Sequence, residues 1–88
     1  MDYITTQGAD SINLEEISFD TIPTSLKNKT LKDLEIRNKS GANIIGFKTV
    51  LGEYIVNPNA ETEIIPHSKI FVLGAPDQIK KLKEMLVE

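Results

Sequence analysis

The 88 residues have the length of a single small domain, and 40% hydrophobic with 26% charged residues favours a packed core over disorder. With a net charge of −3 and both signs interspersed, the chain lacks the broad positive field that attracts nucleic acid polymers or anionic membranes. It contains no cysteine, which excludes disulfides and thiolate chemistry, and no apolar run near the roughly 20 residues of a membrane-spanning helix, so we expect a cytoplasmic domain without membrane insertion.

The first 13 residues carry few apolar side chains, and we interpret residues 1–13 as a linker or the tail of a preceding domain. From Leu14 onward the pattern changes. Ile17 and Phe19 alternate with Ser18, which predicts a half-buried first strand. The folded domain is therefore placed at residues 14–88.

A loop and a short helix are predicted after the first strand. Thr30 and Asp33 form a weak capping box at the start of this helix. Gly41 lies where the chain can adopt the left-handed conformation that ends a helix. The sequence thus predicts one helix from Leu31 to about Asn38.

Two β-rich runs, residues 43–49 and 54–58, flank a glycine-bearing loop and predict a β-hairpin. A brief extended piece at residues 62–65 stops at Pro66. Residues 69–73 form a continuous apolar run after their lysine. Such a run predicts a central strand that is covered on both faces.

The clearest helix signal lies at the end of the chain. Pro76 suits the first helical position, and the apolar residues that follow form one stripe, Ile79, Leu82 and Leu86. Together the elements predict an α+β fold: a small, mostly antiparallel sheet with a short helix after the first strand and a C-terminal helix.

Residues that carry enzyme chemistry are scarce. The single histidine, His67, lies in a predicted turn, and we interpret it as an exposed loop residue. The glycines form no phosphate-binding fingerprint, and the acidic residues lack the spacing of a calcium loop. The aromatic residues lie on separate elements rather than on a stacking platform, which disfavours single-stranded nucleic acid. We therefore expect no enzyme, no catalytic residue, no metal site and no cofactor.

The segment at residues 36–45 has two interpretations. In the first, Arg37 and Lys39 offset the partial negative charge at the helix C-terminus, and Asn43 supports the turn. In the second, the segment binds an anionic aromatic ligand: Arg37 pairs with a phosphate, Asn43 donates or accepts a hydrogen bond, and the isoleucines pack on a base. Spacing alone does not choose between them.

Four runs of the chain, in this order, resemble the TrkA-C domain, also called the RCK C-terminal domain: Leu31–Arg37, Gly41–Phe47, Gly52–Pro58 and Ile70–Ile79. The resemblance covers roughly Glu15 to Leu86. It implies a regulatory lobe of a potassium channel or potassium uptake system without enzymatic activity, working as a homodimer on the cytoplasmic side of the membrane. It also implies two partners, an RCK N-terminal domain and a membrane-embedded channel or transporter subunit.

In some members of that family the lobe binds cyclic di-AMP across the dimer axis, at an Ile-Arg pair followed by an Asn-Ile-Ile group. The resemblance places these ligand-binding residues here at Ile36, Arg37, Asn43, Ile44 and Ile45. Three alternatives remain: a dimerisation lobe that binds no ligand, the C-terminal lobe of a different kind of transporter, and an enzyme, for which His67 is the only motivating residue.

Overall fold

A four-stranded antiparallel sheet organises residues 11–86, the part of the chain that this computed structural model describes. The strands are β1 (Asn13–Phe19), β2 (Asn43–Lys48), β3 (Tyr54–Val56) and β4 (Ser68–Gly74), in the spatial order β1-β4-β2-β3. The helices are α1 (Leu31–Leu34), α2 (Ile36–Ser40) and α3 (Pro76–Met85), and a 3-10 turn spans Thr24–Leu26. The predicted α+β class is confirmed. Of the predicted tail, residues 1–10 lie outside the described residues.

Strand β4 is central, as predicted, because β1 and β2 pair with it on either side. Its burial alternates along the strand: one set of residues is buried, Ser68, Ile70, Val72 and Gly74, and the other is only half-buried, Lys69, Phe71 and Leu73. The prediction that β4 is covered on both faces is therefore wrong. The described helices cover one face, and the apolar run follows the period of two of a sheet with a single covered face.

The hydrophobic core lies between the covered face of the sheet and the helices. Ile70 and Val72 of β4 meet Leu82 of α3 there, and all three side chains are fully buried. The predicted stripe of α3 is confirmed, because Ile79, Leu82 and Leu86 are all buried. Burial of such side chains stabilises a fold by about 1.5 to 3 kcal/mol each.

A short helical region follows the first strand, as predicted, but it is not one continuous helix, because the chain breaks it at Glu35, which has the left-handed dihedrals φ 49° and ψ 42°. Leu31 and Leu34 are three residues apart and share one helix face. Ile36 lies two residues beyond Leu34 and would point elsewhere in an unbroken helix. The break lets Ile36 enter the core, where it is 3% exposed, while Arg37 stays at the surface.

The predicted caps of this helical region are confirmed. The backbone N–H of Thr30 donates to Asp33 Oδ2 at 3.0 Å, and the N–H of Asp33 donates to Thr30 Oγ1 at 3.3 Å. Gly41, with φ 86°, ends α2 in the left-handed region that glycine adopts without strain. Its N–H donates to the carbonyl oxygen of Arg37 at 3.0 Å.

The predicted hairpin is also confirmed, although β3 is only three residues long and pairs with Gly46–Lys48 of β2. The extended piece before Pro66 forms a single bridge, in which Glu63 pairs with Thr30. The N–H of Ile64 donates to the carbonyl oxygen of Lys29 at 3.0 Å. This bridge fixes the start of α1 against the rest of the domain.

Candidate functional site

A cleft between the helix pair α1–α2 and the start of β2 brings together four of the five predicted ligand-binding residues. Ile36 and Arg37 line it from α2, and Asn43 and Ile44 line it from β2. The cleft encloses about 610 Å³, and its other lining residues are Lys29, Leu31, Lys32, Asp33, Glu35 and Asn38. Ile36 is buried and forms part of the floor, whereas Arg37 and Asn43 are exposed.

The tight turn between α2 and β2 positions the two halves of the cleft. The Ser40 hydroxyl donates to the carbonyl oxygen of Ile36 at 2.7 Å and accepts from the N–H of Ala42 at 3.1 Å. Between them, a Cβ atom on Gly41 would lie 2.6 Å from the Gln78 side-chain amide. The turn therefore requires glycine for its conformation and for its closeness to α3.

Ile45 is the predicted site residue that does not line the cleft. The register of β2 against β4 shifts between Ile44 and Gly46, which leaves Ile45 as the extra residue of a β-bulge. Its carbonyl oxygen accepts a 2.9 Å hydrogen bond from the N–H of Asn57, just beyond β3. Ile45 thus links the cleft side of β2 to the end of the hairpin.

Charges of both signs surround the cleft. Hydrogen bonding from the backbone N–H of Thr30 chiefly holds the pKa of Asp33 below its ordinary value, with smaller contributions from the Thr30 side chain and from Lys29 and Lys32 nearby. The Asp33 carboxylate is therefore ionised at neutral pH and committed to the helix cap. Glu35 is the second carboxylate, against three cationic side chains, Lys29, Lys32 and Arg37. This balance suits a ligand that carries negative charge.

Sequence reasoning missed the contribution of α1 to the cleft. Three further residues line it: Lys29 just before α1, Lys32 within α1, and Glu35 at the break between α1 and α2. The spacing of Leu34 and Ile36 could have indicated the break. Residues two positions apart lie on different faces of an unbroken helix, so such a helix does not bury both against one core.

Two aromatic residues that lie far apart in the sequence come together on the sheet. The ring centroids of Tyr54 in β3 and Phe71 in β4 are 6.0 Å apart, and Lys48 Nζ lies 5.0 Å from the Tyr54 centroid. Phe71 pairs in register with Gly46 and Tyr54 with Lys48, two residues further along β2, so strands β3 and β4 bring the two rings together across β2. The two rings are tilted by 42°, so they form an edge contact rather than a parallel stack.

His67 is exposed in its turn, as expected, and adopts a left-handed φ of 70°. Within residues 11–86, no group of three or more acidic, histidine or cysteine side chains is arranged to hold a metal ion. In the same part of the chain, no helix has the length and apolar character needed to span a bilayer.

Residues 14–87 match the family model of the TrkA-C domain, which covers most of the chain. The chain therefore belongs to the TrkA-C domain family. This result confirms the resemblance seen in the sequence.

Among curated proteins, "Probable potassium channel protein 2" of Methanocaldococcus jannaschii is 33% identical to this chain over 63 residues. The aligned segment is 72% of this chain and 18% of that protein. This chain thus corresponds to less than a fifth of that relative's length.

Two solved structures share the fold over most of the domain. The RCK C domain of the potassium transport protein KtrA, in complex with cyclic di-AMP, has 22% identity and a TM-score of 0.71, and the match covers 86% of this chain and 85% of that chain. The RCK_C domain dimer of S. agalactiae BusR, also in complex with cyclic di-AMP, has 23% identity and a TM-score of 0.71, with 83% and 88% covered. At these identities the likeness shows the fold alone.

Proposed function

We propose that this chain is a non-catalytic, ligand-sensing regulatory lobe on the cytoplasmic side of a potassium channel or transporter. Its membership of the TrkA-C family and its 33% identity to a potassium channel protein support this role. Its partners are an RCK N-terminal domain and a membrane-embedded channel or transporter subunit. No cofactor is needed, and the lobe acts through the ligand that it binds.

The proposed ligand is cyclic di-AMP, bound at the seam of a homodimer. The observation that carries this proposal is the shared cleft: Arg37 and Asn43 come from different elements and line one cavity together with Ile44. Domains of the same fold from KtrA and BusR are known in complex with this ligand. A cationic, amide-bearing and partly apolar cleft has the chemistry that a phosphate joined to a base requires.

Each group in the cleft has a distinct role in this proposal. The Arg37 guanidinium pairs with a phosphate through charge-assisted hydrogen bonds. The Asn43 amide both donates to and accepts from the edge of an adenine, and Ile36 and Ile44 form the apolar side of the site. Because cyclic di-AMP has two-fold symmetry, a C2 dimer offers one copy of Arg37 to each phosphate.

Regulation follows from differential binding. A nucleotide held between two lobes stabilises the lobe arrangement that it fits best. It biases the channel only by the difference between its affinities for the two arrangements.

Arg37→Ala tests the site. We expect this change to weaken cyclic di-AMP binding by about 1.5 to 3 kcal/mol, because a charge-assisted hydrogen bond is lost. Titration calorimetry measures the effect, and Lys39→Ala is the matched control, since Lys39 is an exposed cation of the same helix that does not line the cleft. Equal affinity of the Arg37 variant and the wild type would exclude the site. A wild-type dimer that releases no heat with the nucleotide would favour a lobe that only dimerises.

A further inference from the structure

Glu35, at the break between α1 and α2, combines an exposed side chain with a rare backbone conformation. Its dihedrals, φ 49° and ψ 42°, lie in the left-handed region. Residues other than glycine seldom adopt this conformation, because the Cβ atom then crowds the following carbonyl oxygen. The side chain of Glu35 is exposed and lines the cleft, so packing of this side chain does not impose the conformation. The cause must lie in the residues on either side.

The chain is anchored on both sides of Glu35. Leu34 before it and Ile36 after it are 6% and 3% exposed, and both belong to the core. The N–H of Glu35 donates to the carbonyl oxygen of Lys32 at 3.2 Å, which closes α1. The carbonyl oxygen of Glu35 accepts from the N–H of Lys39 at 2.9 Å, which opens α2. The left-handed residue thus joins two helices that each bury their own apolar side chains.

An unbroken helix would exchange the residues that face the core. Residues three and four positions beyond Leu34 would share its face, and these are Arg37 and Asn38, which are both exposed in the structure. Ile36 would lie about 200° around the helix from Leu34, on the opposite side. The conformation of residue 35 therefore decides whether Ile36 or Arg37 is turned towards the core.

The break also determines the position of Arg37 in the cleft. The buried residues of α2 are Ile36 and Ser40, and the Ser40 hydroxyl donates to the carbonyl oxygen of Ile36 at 2.7 Å. Arg37 follows Ile36 directly, is exposed, and lines the cleft together with Asn43 of β2. Arg37 therefore depends on the orientation of α2 for its place beside Asn43.

We propose that the left-handed conformation of Glu35 positions Arg37 for ligand binding, so that the type of residue at position 35 sets the affinity of the cleft. Glu35 is then a positioning residue, which acts through the orientation of α2 and not through its carboxylate. This inference rests on the proposed function. A protein whose binding-competent arrangement is only partly populated binds with an affinity lowered by that fraction. Residues that disfavour the left-handed region at position 35 therefore weaken binding.

Three variants of the 88-residue chain separate the backbone of Glu35 from its charge in calorimetric titrations with cyclic di-AMP. Glu35→Gln, Glu35→Gly and Glu35→Val all remove the carboxylate, but only valine, which is branched at Cβ, strongly disfavours a positive φ. We expect Glu35→Gln and Glu35→Gly to bind at least as tightly as the wild type, because a negative charge is removed from a cleft that binds phosphate. Glu35→Val should bind about tenfold more weakly than Glu35→Gln.

Lys39→Val is the matched control for valine in a helix. Lys39 is an exposed residue of α2 that does not line the cleft, and this change should leave the affinity as it is in the wild type. Equal affinities of Glu35→Val and Glu35→Gln would overturn the positioning role.

Arg37→Ala shows whether the effect of position 35 passes through Arg37. In the Glu35→Gln chain it should weaken binding as it does in the wild type. In the Glu35→Val chain it should have a smaller further effect, because Arg37 is already displaced. A general loss of stability does not produce this coupling. An undiminished effect of Arg37→Ala in the Glu35→Val chain would contradict the proposal.

Measurements without ligand keep this inference separate from the proposed function. Nuclear Overhauser contacts between the Ile36 methyl groups and the core should persist in Glu35→Gly and weaken in Glu35→Val. Glu35→Gly should also unfold at a higher urea concentration than Glu35→Gln, because glycine adopts the left-handed region without strain. This second comparison decides the question even if Glu35→Val does not fold.

The outcomes of the two kinds of measurement differ. A wild-type chain that takes up no cyclic di-AMP removes the ligand, while Ile36 contacts that change with residue 35 keep the role of this residue in orienting α2. Ile36 contacts that are the same in Glu35→Val and Glu35→Gly, or a Glu35→Gly chain that is less stable than Glu35→Gln, would overturn that role whether or not the nucleotide binds.

Discussion

The two sides of the sheet, meaning its edge at β1 and its edge at β3, differ in how much of their surface the described chain covers. On one side, β1 pairs with β4 over seven residues, and ion pairs join Glu16 to Lys69 of β4 at 2.6 Å and Glu15 to Lys83 of α3 at 2.5 Å. On the other side, β3 pairs over three residues, and all three are exposed. The first side stabilises the fold, and the second side is available for recognition.

The difference extends to the candidate cleft. Its exposed residues Arg37 and Asn43 lie beside the sparsely covered hairpin, yet they are attached to buried anchors, Ile36 and Ala42. A binding group held by buried neighbours keeps its position while its own side chain stays accessible. The site therefore stands at the boundary between the two sides.

Core truncation gives the largest expected effect and tests the comparison directly. Leu82→Ala removes a fully buried side chain of α3 and should lower the free energy of unfolding by about 2 to 5 kcal/mol. Val56→Ala should change it by about 0.5 kcal/mol or less in the monomer, because the side chain is already in water. Urea denaturation at low protein concentration measures both values. Similar losses in the two variants would show that the exposed β3 side stabilises the monomer as much as the core does.

Removal of the helix cap beside the cleft should have an intermediate effect on the free energy of unfolding. Thr30→Ala removes the side-chain acceptor for the N–H of Asp33 and should lower the free energy of unfolding by about 1 kcal/mol. Thr24→Ala, at an exposed threonine in the 3-10 turn, is the control and should have a smaller effect. If the two variants unfold at the same urea concentration, the capping box does not stabilise α1.

The smallest expected effect is a change of stability with pH. The hydrogen bond from Lys69 chiefly lowers the pKa of Glu16, and the Thr30 cap lowers that of Asp33, from ordinary values of 4.5 and 3.8. A carboxyl group whose pKa is lowered by folding stabilises the native state above its unfolded-state pKa, and this contribution is lost as the pH falls through the folded-state pKa. Stability should therefore decline below about pH 4.5.

Asp33→Asn isolates one of these two groups. The variant keeps the shape of the side chain but removes its titration, so its stability should fall less steeply than that of the wild type as the pH is lowered. Urea denaturation midpoints at several pH values between neutral and acidic conditions measure the slope. An unchanged slope would show that the cap carboxylate does not contribute to the acid sensitivity of the fold.

Features set by neighbouring residues were predictable from the sequence. The Thr30–Asp33 capping box, the left-handed Gly41 and the apolar stripe of α3 all follow from local spacing, and the structure confirms each of them. The closeness of Arg37 and Asn43 also follows from the short Gly41 turn. These interactions need no knowledge of how distant segments pack.

Features set by distant contacts were not predictable in the same way. Glu35 adopts the left-handed conformation because Ile36 has to reach a core built from the sheet and α3, and no local propensity favours that break. The contact of Tyr54 with Phe71 depends on the strand order, and the bulge at Ile45 depends on its register with β4. For the same reason, Lys29 and Lys32, the cationic residues before and within α1, were not among the predicted site residues.

Titration calorimetry of the wild-type chain with cyclic di-AMP tests the shared cleft most directly, because it measures binding and stoichiometry together. We predict saturable heat at a ratio of one nucleotide to two chains, as expected when two copies of Arg37 share a symmetric ligand. No heat, or one nucleotide bound by each chain independently, would contradict a binding site formed by two copies.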